Sequence, residues 1–173
     1  EYVSVMDENV NTSVAGIYYV DYHAVDAAGN HAEAMRTVIV VDTTAPTVSS
    51  FTTTTTSGSY KQFQEIEITA NTSEAIQIGN TITVTLDTTD TVVLTAVNAG
   101  TTLVGTYTVG ASDNSSALTI SSFTIGTVAD TSENALTSTA LPVAAYIFGT
   151  KTIIIDTTAP VITLTGDDPV TIE

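Results

Sequence analysis

Residues 65–71 read EIEITAN, and residues 81–87 read TITVTLD. In the first, Ile66 and Ile68 fall on one side of an extended chain, and Glu65 and Glu67 on the other. In the second, Ile82, Val84 and Leu86 alternate with Thr81, Thr83 and Thr85. A period of two marks a strand with one face buried and one wet. The same alternation runs through GIYYVDYHAVD (residues 16–26), where Tyr18, Val20, Tyr22 and Ala24 oppose Tyr19, Asp21 and His23. Thr, Val, Ile and Tyr supply most of these positions, and such residues suit a pleated surface. No stretch of about 11 residues carries the 3.6-residue period of a helix. Between the strands stand SGS (57–59), IGN (78–80), NAG (98–100), SDNSS (112–116) and TSEN (131–134), all rich in turn formers. Short strands with such corners predict an all-β chain built of antiparallel β-sandwiches. One segment is ambiguous: TALPVAAYIFGT (139–150) suits a short helical turn or a buried strand broken at Pro142.

The composition sets limits on function. The 173 residues carry 19 acidic side chains against Arg36, Lys61 and Lys151, a formal charge of −16. Such a surface repels nucleic acid and anionic membranes and attracts cations. Its acidity fits solubility in a salty medium, specific cation binding, or both. With no cysteine, neither a disulfide framework nor a thiolate zinc site is available. No apolar run approaches the ~18 residues of a membrane-spanning helix. Glu1 opens the sequence without a basic and apolar leader, so any signal peptide is expected upstream or already removed.

VVDTTAP (40–46) returns as IIDTTAP (154–160), with Asp42 and Asp156 114 positions apart. That spacing is the size of a module. Each copy follows a β-branched strand and precedes another, and proline keeps the chain extended across the join. The expected organisation is the closing part of one sandwich in 1–44, a complete one in 45–157, and the opening strand of a further one in 158–173. A few strands alone leave an uncovered face, so each flank is expected to need a partner.

The segment VNTSVAGIYYVDYHAVDAAGNHAEAMRTVIVVDTTAP (10–46) resembles the closing two-thirds of bacterial Ig-like, HYR-like repeats of large surface proteins. APVITLTGDDPVTIE (159–173) resembles the opening of the same repeat. The middle is similar to a second Ig-like family of giant RTX-type adhesins. That likeness runs through APTVSSFTTTTTSGSYKQFQEIEITANTSEAI (45–76), GTYTVGASDNSSALTISSF (105–123) and VADTSENAL (128–136). It departs from the usual pattern where DTSEN stands in place of DAAGN. The resemblance implies tandem Ig-like antiparallel β-sandwiches, one complete and one split between the two termini. It also implies an extracellular structural role at a bacterial cell surface or in a secreted adhesin-like protein or fibre. Its partners would be neighbouring Ig-like domains or copies of itself, with any host-surface or matrix ligand elsewhere in the parent protein. Two other roles stay open. One is a head-to-tail filament in which Val161, Ile162, Thr163, Leu164 and Thr165 add as a strand to the next copy. The other is a sugar- or protein-binding module.

Calcium is the expected cofactor, because it takes six to eight hard oxygens in flexible geometry. The resemblance implies interdomain calcium at Asp42 and Asp156. Asp113 in SDNSS, Asp130 and Glu133 in ADTSEN, Glu74 in NTSEA and Asp26 in DAAGN offer further carboxylates. All of these also suit ordinary turns and caps. No stretch follows the EF-hand loop pattern. Catalysis has little support: Ser or Thr nucleophiles need a positioned base, and His23 and His31 read as surface residues. The two could approach across a hairpin and, with Asp21, form a transition-metal site. Asn11, Asn71 and Asn114 begin N-glycosylation sequons that a Thr- and Ser-rich chain produces by chance.

Overall fold

The computed structural model describes residues 2–163. Three strands come first: β1 (Tyr2–Glu8), β2 (Gly16–Val25) and β3 (His31–Val40), antiparallel in the order β1-β2-β3. β2 and β3 pair without interruption from Gly16 opposite Val40 to Val25 opposite His31.

The remaining strands form two sheets. β4 (Val48–Thr52), β6 (Glu65–Ile76), β7 (Thr81–Leu86), β8 (Thr91–Thr95), β9 (Gly100–Thr108) and β11 (Ile120–Thr127) make a six-stranded sheet in the order β11-β7-β8-β9-β6-β4. β5 (Gly58–Tyr60), β10 (Asn114–Ser115) and β12 (Ile153–Asp156) make a small sheet in the order β10-β12-β5. The large sheet is antiparallel throughout, but β5 and β12 run parallel. That pair departs from the all-antiparallel expectation. Its two strands lie far apart in sequence, so a hairpin does not dictate their direction.

The period-two reading holds residue by residue across the two faces of β6 and β7. In β2 it holds as far as Asp21 and fades beyond it, where Tyr22, His23, Ala24 and Val25 are all half-buried. Ile66, Ile68, Ile82, Val84 and Leu86 are buried, while the glutamates and threonines between them reach the surface or its margin. They join Phe51, Leu94, Leu103, Phe123, Ile153 and Ile155 in one apolar cluster drawn from both sheets. Phe51 and Phe123 meet edge to face at 5.9 Å between centroids. Burying each large aliphatic side chain contributes about 1.5–3 kcal/mol. Gly105 on β9 is required by close approach, since a Cβ there would stand 2.4 Å from the Val93 carbonyl oxygen of β8.

The ambiguous segment resolves into irregular backbone with a 3₁₀ turn at Ala144–Tyr146, a bridge from Ile147 to Phe51, and buried Phe148. Two tyrosines tie loops to the strands that follow them. Tyr18 donates to the Val14 carbonyl at 2.8 Å and Tyr60 to the Thr56 carbonyl at 2.6 Å. A phenol reaching back a few residues in this way is a recurrent corner of Ig-like sandwiches.

Candidate metal centre at the first junction

The first DTTAP stretch leaves β3 and enters β4. The Asp42 carboxylate accepts from the Thr44 backbone N–H at 2.9 Å, which turns the chain. Pro46 is buried beyond it, and Thr47 exchanges bonds with Ser73. Ser73 lies near the end of β6, so the chain comes in beside Glu74.

A second carboxylate arrives from far along the sequence. Asp130 forms a bridge with Ile76, while Gln77 donates its backbone N–H to Ala129 and its side-chain amide to the Asp130 carbonyl. These bonds hold the DTSEN turn against the end of β6. The Asp130 side chain accepts from Ser132 N–H and Asn134 N–H, each at 2.8 Å, and from the Asn134 amide, also at 2.8 Å. The same Asn134 amide donates to the Asp42 carbonyl at 3.1 Å, stitching the turn to the junction.

Carboxylate oxygens of Asp42, Glu74 and Asp130 therefore lie within 4.8 Å of one another. Asp130 is 2 % exposed. Glu74 Oε1 is buried and has no hydrogen-bond partner. Burial raises the Glu74 carboxyl, and the charges of Asp42 and Asp130 raise it further. Burial also pushes Asp130 upward, but the bonds from Asn134 and Ser132 outweigh it and hold the group below its ordinary value. Three mutually repelling carboxylates, one with an orphaned oxygen, are an arrangement that a hard cation would relieve. A surface groove from Thr12 and Ser13 across Asp42 to Glu74 opens beside them.

The other candidate carboxylates are elsewhere. Asp26 anchors the DAAGN turn, accepting from Ala28, Asn30 and the Asn30 amide, and these bonds hold it low. That turn and DTSEN share one backbone pattern, with Gly29 at φ 85° and Glu133 at φ 68° in the same left-handed position. Glu133 projects outward from that position, outside the cluster. Asp113 is half-buried against Tyr107 and Gly110, accepting from the Tyr107 hydroxyl at 2.6 Å. It shares a hydrogen bond with Asp90, whose own carboxyl is raised by burial and by that neighbour. Asp156 pairs with Asn114 across β12 and β10, and its side chain accepts from Thr158 N–H at 2.9 Å. Among the described residues no third carboxylate joins Asp156. Val161, Ile162 and Thr163 are exposed and belong to no strand; Leu164 and Thr165 lie outside the described residues.

Sequence reasoning passed over Asn134 and Ser73, which organise the cluster. The D-x-x-x-N spacing that DTSEN shares with DAAGN was the available signal for Asn134; Ser73 had none. It also left open whether His23 and His31 meet; their ring nitrogens stand 2.8 Å apart. No helix among the described residues is long and apolar enough to cross a membrane. No curated protein and no solved structure matches the chain. Residues 1–40 match the family model described as bacterial surface protein, Ig-like domain, and with the all-β fold this points to a structural surface module rather than an enzyme.

Proposed function

We propose that the chain is a stiffened spacer of a bacterial surface protein, locked at its first DTTAP junction by calcium held through Asp42, Glu74 and Asp130. The observation that carries this reading is the buried, unpartnered Oε1 of Glu74, on a carboxylate that lies within 4.8 Å of two others. Carboxylate oxygens are the donors that calcium prefers, and nearby carbonyls and water complete such a shell. Asp42 belongs to the join itself, Glu74 to β6 and Asp130 to a turn 88 positions beyond Asp42. An ion neutralising all three would restrict hinging between β3 and β4, a freedom that short linkers otherwise keep. Calcium supplies charge neutralisation there. The protein positions the oxygens through Asn134, Thr44 and the Ser73–Thr47 pair.

The test is thermal unfolding of the full chain in calcium and in chelator. Binding to the folded form alone stabilises by about 2.7 kcal/mol at a hundredfold excess over Kd, so Tm rises in calcium. Glu74→Gln removes most of that rise. An unchanged Tm on chelation overturns the calcium assignment.

A second reading rests on Val161 and Ile162, 89 % and 88 % exposed. A β-branched segment of this kind suits addition to an edge of the β1-β2-β3 sheet in another copy, which would build a head-to-tail filament. Light scattering of the full chain beside a version ending at Pro160 separates the two. Growth in the full chain alone supports strand addition; monomers in both leave the spacer reading.

A further inference from the structure

His23 lies on β2 and His31 opens β3, and the hairpin register places them on one face of the sheet. His23 Nε2 and His31 Nδ1 stand 2.8 Å apart, with ring centroids at 4.9 Å. Two imidazole nitrogens aimed at each other either share one N–H or hold one ion. Nitrogen–metal bonds of about 2.0–2.1 Å put two neighbouring ligand nitrogens roughly 3 Å apart, so a slight opening of the pair admits a metal. The surroundings supply further ligands. Glu33 is directly opposite His23, and Asp21 is two residues along β2, opposite exposed Met35. Alternation puts all of these side chains on the histidine face. An open groove is lined by Asp21, His23, Glu33 and Met35.

We propose that His23 and His31 form a surface site for a divalent transition metal of the zinc and copper class, with Glu33 or Asp21 as the completing ligand. Imidazole selects such ions over calcium, which takes oxygen. The site is thus chemically distinct from the junction carboxylates. Neither Glu33 nor Asp21 stands within 4.8 Å of both nitrogens, so side-chain rotation completes the shell. Bound there, the ion clamps β2 to β3 beside the Asp26–Asn30 turn. The acidic surface raises the local cation concentration and favours capture.

The test uses the full chain, stripped of metal and held in excess calcium so that the junction carboxylates do not compete. Zinc(II) is titrated by calorimetry, and copper(II) is followed by electron paramagnetic resonance. The expected result is about one equivalent bound, with copper showing hyperfine coupling to two imidazole nitrogens. His23→Ala and His31→Ala should each weaken binding at least tenfold, and Glu33→Gln less, while Glu65→Gln, at an exposed position of β6, leaves it unchanged. Binding insensitive to both histidine substitutions, absence of a one-equivalent phase, or a copper spectrum without nitrogen coupling would each overturn the proposal.

Discussion

The two DTTAP joins are nearly identical in sequence and sit in opposite surroundings. Both aspartates make the same turn: Asp42 accepts from Thr44 N–H and Asp156 from Thr158 N–H, each at 2.9 Å. Beyond that turn they differ. At the first join Pro46 is buried, Asn134 grips the Asp42 carbonyl, and two more carboxylates close in. At the second, Pro160 is exposed and neutral partners do the holding. Thr157 N–H donates to the Asn114 side chain at 3.2 Å, and the Thr157 hydroxyl to the Asp113 carbonyl at 3.0 Å. A short motif fixes its own turn, and the neighbours decide whether that turn becomes a charged centre.

The largest expected effect comes from breaking the first join. Asn134→Ala removes the amide that serves both Asp130 and the Asp42 carbonyl, leaving a buried carboxylate short of donors. The cost should be about 2–3 kcal/mol, read by denaturant unfolding. Asn114→Ala at the second join leaves exposed groups that water can satisfy, so a loss of about 0.5–1 kcal/mol is expected. If the two variants lost equal stability, the contrast between the joins would fail. Calcium response should follow the same asymmetry: Asp42→Asn weakens the Tm rise, and Asp156→Asn leaves it intact.

The paired turns give a smaller effect. Glu133 occupies a left-handed conformation that Gly29 adopts without strain. Glu133→Gly should therefore stabilise by a few tenths of a kcal/mol to about 1, and Gly29→Ala should destabilise by about 1. Equal and opposite signs in the two unfolding curves would confirm one shared turn geometry.

The smallest effect concerns the acids under the second join. Asp90 is raised in the folded state, so the fold binds its proton more tightly than the unfolded chain does. The stability this gives is fully present below the ordinary aspartate range and is lost as pH rises through the folded value. Asp113 is lowered: burial raises it, but the bonds from Tyr107, Gly110 and Asp90 outweigh that. Its contribution is present above the ordinary range and lost as pH falls. Asp90→Asn keeps a donor toward Asp113 without the ionisation. It should raise Tm near about pH 7 and leave it nearly unchanged near about pH 3, as a pH series of melts would show. A rise of the same size at both values would mean that the shared proton is not the cause.

Much of the fold was legible because its signal is local. Ile66, Ile68, Ile82, Val84 and Leu86 occupy alternate positions, and alternation alone places them on a buried face. The corners were legible for the same reason, since Asn, Asp, Gly and Ser bond their own backbone. The parallel pairing of β5 with β12 was not, because it joins Gly58 to Ile153 and no nearby turn specifies it. The 139–150 segment stayed ambiguous because its apolar residues follow neither period, and only contact with Phe51 settles its path. Asp42, Glu74 and Asp130 could be named as oxygen donors from their turns, but nothing in those turns says which acids meet.

The sequence by itself determined the strands, their buried faces, the two repeated joins and the acidity of the surface. These follow from residue chemistry acting over two to five positions. Only the tertiary structure decided that Asp42, Glu74 and Asp130 share one centre, while Asp26, Asp113, Glu133 and Asp156 do not. The physical reason is that the end of β6 must satisfy its backbone hydrogen bonds. The 130 turn and the 47 backbone supply those partners, and their carboxylates come with them.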